Sequence, residues 1–297
     1  MKTKNAYALL LAACLIIAAS TALIAQDLVL YKGQPIDGTD IAIGSWGSGQ
    51  CEDVAKSGYT GSHSLKITAR SLFEGGRIDF RTPVDLKEHF KNPNAYIQLM
   101  SKMQLDTATE LDPLLGDYYD PYATVSPNRT PVSRVRLVLR FVTGPMVECQ
   151  VDISGLEVGE DGWMPISFPL SALKGKKERS DYRVRRLIIS GDGSEPFYIG
   201  QIQIATDTKP ITVDPGLPQF VAANDDVMFR PHSDGGAAPL RYAWDFDSND
   251  GIQEDALGEV VYHKFPKAGN YIVTLTVSDV FGIKKPVTKT VKIEVFD

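Results

Sequence analysis

The sequence predicts an all-β protein built as two sandwiches in series, and three observations carry that prediction. Apolar and polar residues alternate with a period of two along many short runs. Clusters of Gly, Pro, Asn and Asp separate those runs at regular spacing, and no stretch keeps a long helical period. At 297 residues, 43% hydrophobic and 23% charged, the chain is ordinary globular material, long enough for about two domains.

The first residues read as an export signal over 1–25. Lys2 and Lys4 precede an apolar run from Ala6 to Ala19, and then come Ser20, Thr21 and Ala22, the n-, h- and c-regions in order. Cleavage after Ala22 has small Ser20 two residues earlier; cleavage after Ala25 has Leu23 there. Two alternatives stay open. The run from Tyr7 to Ala25 is long enough to remain as a membrane anchor. Leu11, Ala12, Ala13 and Cys14 match a lipobox, although Leu15 to Ala25 stays apolar where a lipoprotein begins its polar tether. The expected location is secreted, periplasmic or cell-surface, with membrane attachment only if this segment is uncleaved or lipidated.

Removing Lys2 and Lys4 from 31 basic residues leaves 29 against 37 acidic ones, a net charge of about −8. Polyanions are poor partners for such a chain, and no nucleic-acid interface is expected. The nearest basic cluster, Lys174, Lys176, Lys177 and Arg179, is short and offset by Glu178 and Asp181. Cys51 and Cys149 are the thiols left after export. An oxidising compartment permits one disulfide between them; the alternative is two buried thiols in a β-core.

Residues 27–205 are expected to form an antiparallel jelly-roll sandwich. Arg134 to Val142 is its clearest strand, with Val135, Leu137, Leu139 and Phe141 on one face and Arg134, Arg136, Val138 and Arg140 turned outward. Further strands are read at Ser64–Ala69, Arg77–Arg81, Tyr96–Met103, Met146–Ile153, Trp163–Phe168, Val184–Ser190 and Pro196–Ala205. Only Asp85–Phe90 and Leu170–Leu173 look like single helical turns. Without crossover helices a doubly wound nucleotide-binding fold is excluded. The stretch from Asp106 to Pro131, rich in Pro, Asp and Tyr, is long for a connection inside a domain, which marks it as functional or disordered. Residues 206–218, with Pro210, Pro215 and Pro218 around Gly216, read as the linker and first strand of the next module.

Residues 219–297 carry seven or so short strands. Leu240, Tyr242, Trp244 and Phe246 alternate with Arg241, Ala243 and Asp245, and Tyr271, Val273, Leu275 and Val277 make a second inward row. This pattern, with Trp on an inner face, fits an immunoglobulin-like sandwich. The string Tyr242-Ala243-Trp244-Asp245-Phe246-Asp247 resembles the W-D-F motif of the PKD domain. Val261 to Phe265 followed by Gly269, Asn270 and Tyr271, and then Thr274 to Asp279, are similar to that family's later motifs. The likeness covers about 85 residues and departs after Phe246, where a longer acidic excursion replaces G-D-G. It implies an adhesive or spacer module of a surface protein or secreted enzyme. In the first module, Gly58 to Ile67 and Pro83-Val84-Asp85-Leu86 resemble galactose-binding-like jelly rolls, a pattern shared with many carbohydrate-binding modules.

Sugar recognition needs aromatic faces beside a few hydroxyl-binding groups. The candidates are Trp46, in a Gly-rich run, and Tyr118, Tyr119 and Tyr122, with Asp117 and Asp120 beside them. The alternative is that Trp46 packs under a loop and the tyrosines cover the sandwich edge; Trp163 reads as core. Asp245, Asp247, Asn249, Asp250 and Asp255 place hard oxygen donors in one loop, so calcium is a possible cofactor and no other is expected. The EF-hand spacing fails, because Gly251 comes one place late and Ala256 stands where a bidentate Glu is needed. Alternation also turns Asp245 and Asp247 away from the core face, and the other reading of this loop is Asx-turn chemistry. No nucleophile elbow, HExxH, P-loop or Cys/His cluster occurs, and His63, His89, His232 and His263 have no motif partner. The expectation is therefore not an enzyme but an exported binding protein for a polysaccharide or cell-surface protein. A structural envelope protein without a small ligand is the alternative, and a glycan hydrolase a distant third.

Overall fold

The structure, a computed structural model, describes residues 27–55, 58–103, 130–153, 156, 158–173, 175, 179–247 and 251–297. Residues 1–25, Asp117, Tyr118, Tyr119, Asp120, Tyr122, Lys174, Lys176, Lys177, Asn249 and Asp250 lie outside the described residues.

Strands with apolar side chains on alternate positions have one face to hide, and two such sheets hide theirs against each other. The first sheet runs in the order β3 (Gln50–Ala55), β4 (His63–Thr68), β11 (Phe197–Thr206), β6 (Ala95–Lys102) and β9 (Met164–Pro169). β1 (Leu28–Tyr31) also pairs with β11, beyond the stretch that β4 occupies. The second sheet runs β2 (Ile41–Trp46), β5 (Gly75–Asp85), β10 (Arg183–Gly191), β7 (Arg134–Phe141) and β8 (Val147–Asp152). From β4 to β11 the chain crosses between sheets at every step except the β7–β8 hairpin. The orders β4-β11-β6-β9 and β5-β10-β7-β8 are therefore the two interleaved sheets of a jelly roll, with β3 and β2 each added at one edge. Leu65, Ile67, Ile97, Leu99, Leu137, Leu139, Leu187 and Ile189 meet in the middle, fully buried.

The strongest expected strand is β7, and Val135, Leu137, Leu139 and Phe141 do face the core. Its other face departs from expectation, because Arg136 and Val138 are buried and not solvated. The cause lies with the loop before β5. The Leu72 carbonyl accepts hydrogen bonds from Arg136 Nη1 (3.1 Å) and Ser190 Oγ (2.5 Å), and the Phe73 ring lies 4.9 Å from the Arg136 guanidinium. Glu148 pairs with the same guanidinium. The expected turn at Asp85–Phe90 contains the short helix α1 (Lys87–Lys91), whereas Leu170–Leu173 makes hydrogen-bonded turns without a helix. Among the described residues, no helix is long and apolar enough to cross a membrane.

The β2–β3 hairpin closes onto the second sheet through glycine. A Cβ on Gly49 would lie 2.3 Å from the Gly75 Cα, and one on Gly75 would lie 2.2 Å from the Ile189 carbonyl oxygen. Gly75→Ala is expected to cost about 1–3 kcal/mol, as overpacking does. The check is a lower urea midpoint at unchanged slope; an unmoved midpoint would show that the backbones can part.

The second sandwich has its own core. One sheet runs β13 (Gln219–Ala222), β20 (Val287–Phe296), β19 (Gly269–Asp279), β16 (Leu240–Asp245) and β17 (Ala256–Leu257), with β13 parallel to β20. Against it lie two antiparallel pairs, β14 (Val227–Phe229) with β18 (Val261–His263) and β12 (Thr212–Asp214) with β15 (His232–Asp234). Trp244 fills the centre with no exposed surface; Phe229 packs 5.3 Å from it, and its Nε1–H donates to the Gly258 carbonyl at 2.9 Å. Within the proline-rich stretch 206–218, Ile211 enters this core and β12 joins the layer.

Candidate functional site

The two sandwiches meet at the end of β11. Asp207 follows that strand, and its backbone N–H donates to the Asn94 carbonyl at 2.9 Å, which anchors it to the jelly roll. Its carboxylate reaches across. Oδ2 accepts from the Ala237 amide and from Lys284 Nζ (2.6 Å), and Oδ1 accepts from the Lys209 amide (2.9 Å). Lys284 Nζ also donates to the Gly235 carbonyl at 2.6 Å. The two side chains are only 11% and 7% exposed. Burial works against ionisation of Asp207, but Lys284 and the two amides hold its carboxyl below the usual carboxylate range. Asp279 shapes the turn that presents Lys284, accepting from the amides of Phe281, Ile283 and Lys284 at 2.9, 3.0 and 3.1 Å. Phe281 then packs against the jelly-roll core.

The facing turn can come this close only as glycine. Gly236 sits at φ +60°, and a Cβ on it would fall 2.2 Å from Asp207 Oδ2. Tyr96 lies beside this junction, its phenol pushed well above the usual range by burial and by the Asp279 and Asp207 carboxylates.

Among the described residues two cavities open along the same seam and a third on the jelly roll beside it, and Val158, in the connection from β8 to β9, lines all three. The first, about 310 Å³, lies between Trp163, Pro165 and Ser167 of the jelly roll and Ser233, Leu240 and Tyr242 of the second sandwich. The second, about 600 Å³, continues past Leu156 to Arg230, His232 and Glu259. The third, about 340 Å³, lies on the jelly-roll side, between Lys102, Met103, Glu160 and Met164. Volumes of this size suit small organic ligands.

Each wall of the first cavity presents an oriented hydroxyl. On the jelly roll, an amide relay crosses the outer face of the first sheet. Gln201 Nε2 donates to Gln203 Oε1 (2.8 Å), Gln203 Nε2 to Gln98 Oε1 (2.8 Å), and Gln98 Nε2 to Ser167 Oγ (3.1 Å). Ser167 thus accepts and keeps its own proton to give. On the opposite wall Ser233 Oγ and Tyr242 OH are 2.6 Å apart. Among the described residues of this lining Asp234 is the one ionisable side chain besides Tyr242, and it accepts from the Gly236 amide at 2.7 Å.

The residues singled out in the sequence lie elsewhere. Trp46 is the last residue of β2 and not part of a loop; it is half-buried on the outer face of the second sheet, with the Arg186 guanidinium 5.9 Å from its ring centre. Arg186 is paired with Asp79. Trp163 is buried, its ring 5.7 Å from that of Tyr59. In the acidic loop, Asp245 is buried beneath the loop that follows it: it is 1% exposed and accepts from the amides of Asp247 (3.0 Å) and Gln253 (3.3 Å). Asp255 likewise accepts from the Phe246 amide at 2.8 Å, so both carboxylates tie down the loop backbone. Among the described residues no group of three or more His, Cys, Asp and Glu side chains gathers as metal ligands. Sequence reasoning missed Ser167, Gln98 and Ser233, for which no local motif exists, and read Leu240 and Tyr242 as part of the alternating row of the second sandwich.

Cys51 and Cys149 are buried free thiols. Cys51 lies on edge strand β3, which packs over β2 and β5, and Cys149 on edge strand β8, which packs beneath β9 at the far side. Four strand spacings, roughly 19 Å, separate those edges, so a bridge is out of reach. Burial pushes both thiols up to about 12, with Asp53 and Glu52 adding to the effect at Cys51. Neither is expected to react with maleimide at pH 8 in native protein, and both in urea. Rapid native labelling would contradict the burial.

These features define a class: two β-sandwiches in tandem, the second immunoglobulin-like. That second sandwich is a PKD domain, because residues 207–295 match the PKD domain family model. No curated protein matches the chain. Among solved structures, the fibronectin(III)-like modules of Clostridium thermocellum CbhA match at 13% identity and a TM-score of 0.25, covering 56% of this chain and 79% of that one. The Clostridium perfringens ZmpB structure, an M60 catalytic domain with two CBM51 domains, matches at 11% identity and a TM-score of 0.23, covering 91% of this chain and 23% of that one. Likenesses this weak carry no argument about ligand or fold.

Proposed function

We propose that this is an exported, non-catalytic binding protein whose jelly roll, residues 27–205, engages a carbohydrate or other surface ligand, with the PKD domain as its companion module. The PKD match over residues 207–295 carries this reading, since that module type serves adhesion and spacing in surface proteins. The first cavity, lined largely by apolar and hydroxyl side chains, supplies a concave surface of the kind ligand binding needs. The test is retention on insoluble polysaccharides and a glycan array, with Trp46→Ala and Tyr119→Ala probing the aromatic candidates. Retention that survives washing supports the reading, and passage through every polysaccharide would remove it.

A second reading, a structural envelope protein that contacts other proteins, is favoured by one observation. Phe220 and Phe296 stack at 6.5 Å on the exposed side of the PKD domain, and Met228 and Tyr262 are exposed nearby, joined by a Tyr262 OH to Met228 Sδ hydrogen bond of 3.4 Å. Gln219 Nε2 links the two groups through the Met228 carbonyl at 3.4 Å. Exposed apolar surface of this kind marks contact sites. Failure to bind glycans together with capture of envelope protein through this patch would establish that reading.

A further inference from the structure

We infer that the seam between the two sandwiches is a composite binding site for a neutral, hydroxyl-rich ligand, a short stretch of uncharged glycan chain, and that the PKD domain forms one of its walls. The inference rests on the carbohydrate reading above and adds the place, the charge class and the second wall. Three features of the cleft lead to it.

First, the cleft is where the described cavities converge, all of them against Val158, and the first is closed by side chains from both sandwiches. Second, among the described residues the polar side chains of the first cavity, Asp234 apart, are hydroxyls, whereas the charged groups Arg230, Glu259, Lys102 and Glu160 line the cavities beside it. Ser167 and the Ser233–Tyr242 pair can each donate and accept, as a sugar hydroxyl does, and both are held in place by existing hydrogen bonds. The relay through Gln201, Gln203 and Gln98 polarises the Ser167 hydroxyl, because each bond in a chain strengthens the next. Between these groups Leu240, Pro165 and Val158 offer the apolar surface that the C–H faces of a sugar ring need. Third, the first cavity disfavours an acidic ligand: among the described residues its lining holds no cation, and the cations of the neighbouring cavities, Arg230 and Lys102, share their linings with Glu259 and with Glu160 and Asp161. The nearest buried cation, Lys284, is already committed to Asp207 and the Gly235 carbonyl, while Asp234 adds a negative charge to the lining.

The walls keep their spacing because Asp207 and Lys284 join them. The site is therefore not the property of the jelly roll alone. A peptide is the less suitable occupant, because the strand at the sheet edge on the jelly-roll wall, β9, carries Pro165 and Pro169, which have no N–H to pair with an added strand.

The test uses the exported protein, a panel of neutral oligosaccharides (cellohexaose, xylohexaose, mannohexaose) and polygalacturonate as the acidic probe, read by calorimetric titration. Ser167→Trp, which fills the cleft from the jelly-roll side, is expected to weaken binding of the neutral ligand by at least about tenfold. Tyr242→Phe, which removes a hydroxyl from the PKD wall and leaves its core packing, is expected to weaken it several-fold. Tyr242→Phe also carries the test if Ser167→Trp misfolds. Binding that is abolished by Trp46→Ala but unaffected by Ser167→Trp and Tyr242→Phe would overturn the cleft and leave the carbohydrate reading standing. Binding of polygalacturonate alone would overturn the neutral assignment. If no glycan binds, the carbohydrate reading and this inference fall together.

Discussion

Lys284→Met is expected to weaken the junction between the two sandwiches by about 3–5 kcal/mol, the cost of leaving a buried carboxylate without its cation. The loss is large because of where the charge is left. Asp207 is 11% exposed, its Oδ2 also receives the Ala237 amide, and the backbone of the facing turn closes on it at Gly236, φ +60°. The readout is hydrogen exchange at the Ala237 amide, which slows while the junction is closed; at about 1.4 kcal/mol per tenfold, its protection falls by a hundredfold or more. Lys284→Met combined with Asp207→Leu should recover much of the loss, because neither charge is then stranded. Acid gives an independent check. The folded pKa of Asp207 lies below its unfolded value, so its stabilisation is present above about pH 3.9 and is lost as the pH falls through the folded value. Wild-type protein should therefore lose junction stability on acidification below that pH more steeply than Lys284→Met does. Equal protection in the two proteins would mean that the pair does not hold the junction.

How far the fold was legible depends on how local its causes are. Arg134 to Phe141 announces β7 because four apolar side chains at a period of two need nothing beyond their own neighbours. β1, β2 and β3 were not anticipated: Leu28–Tyr31 is only four residues long, Ile41–Trp46 contains Gly44, and Gln50–Ala55 carries Glu52 and Asp53 on adjacent positions. Their strand character comes from partners, β11, β5 and β4, that lie far away in sequence. The burial of Arg136 has the same origin, since the loop that covers it arrives from residues 72–73.

The cleft was less legible still. Ser167 lies on the face of β9 away from the jelly-roll core and is nonetheless only 3% exposed; its significance comes from Gln98 and Gln203 on neighbouring strands and from a wall supplied by another sandwich. Asp207 and Lys284 are 77 positions apart, and neither belongs to a motif. Aromatic residues drew attention to Trp46 because stacking platforms are recognisable by residue type, whereas hydroxyl-lined clefts between modules have no such signature. The W-D-F and T-L-T-V strings identified the PKD domain so directly because their side chains build a core, and core positions are dictated by the module's own strands.

That core sets the other large expectation. Trp244→Ala should destabilise the PKD domain by about 3–5 kcal/mol, the usual cost of emptying a large aromatic site. The side chain has no exposed surface, it packs on Phe229, and its indole N–H satisfies the Gly258 carbonyl, which truncation would orphan. The jelly roll should survive, because among the described residues the two cores share no buried residue, and Phe281 of the PKD domain is only partly buried where it rests on the first. Calorimetry is expected to show the PKD transition moving down on its own and separating from that of the jelly roll. Trp244→Phe, which keeps most of the volume but loses the hydrogen bond, should move it by about 1–3 kcal/mol, which separates packing from the indole contact. If both transitions fall together, the junction through Asp207 and Lys284 couples the sandwiches more tightly than their separate cores imply. If they separate, ligand binding at the seam becomes the sharper discriminator. A protein whose jelly roll is intact and whose PKD domain is unfolded keeps Ser167 but loses Ser233, Leu240 and Tyr242, so a site that needs both walls must fail at the temperature of the first transition and not the second.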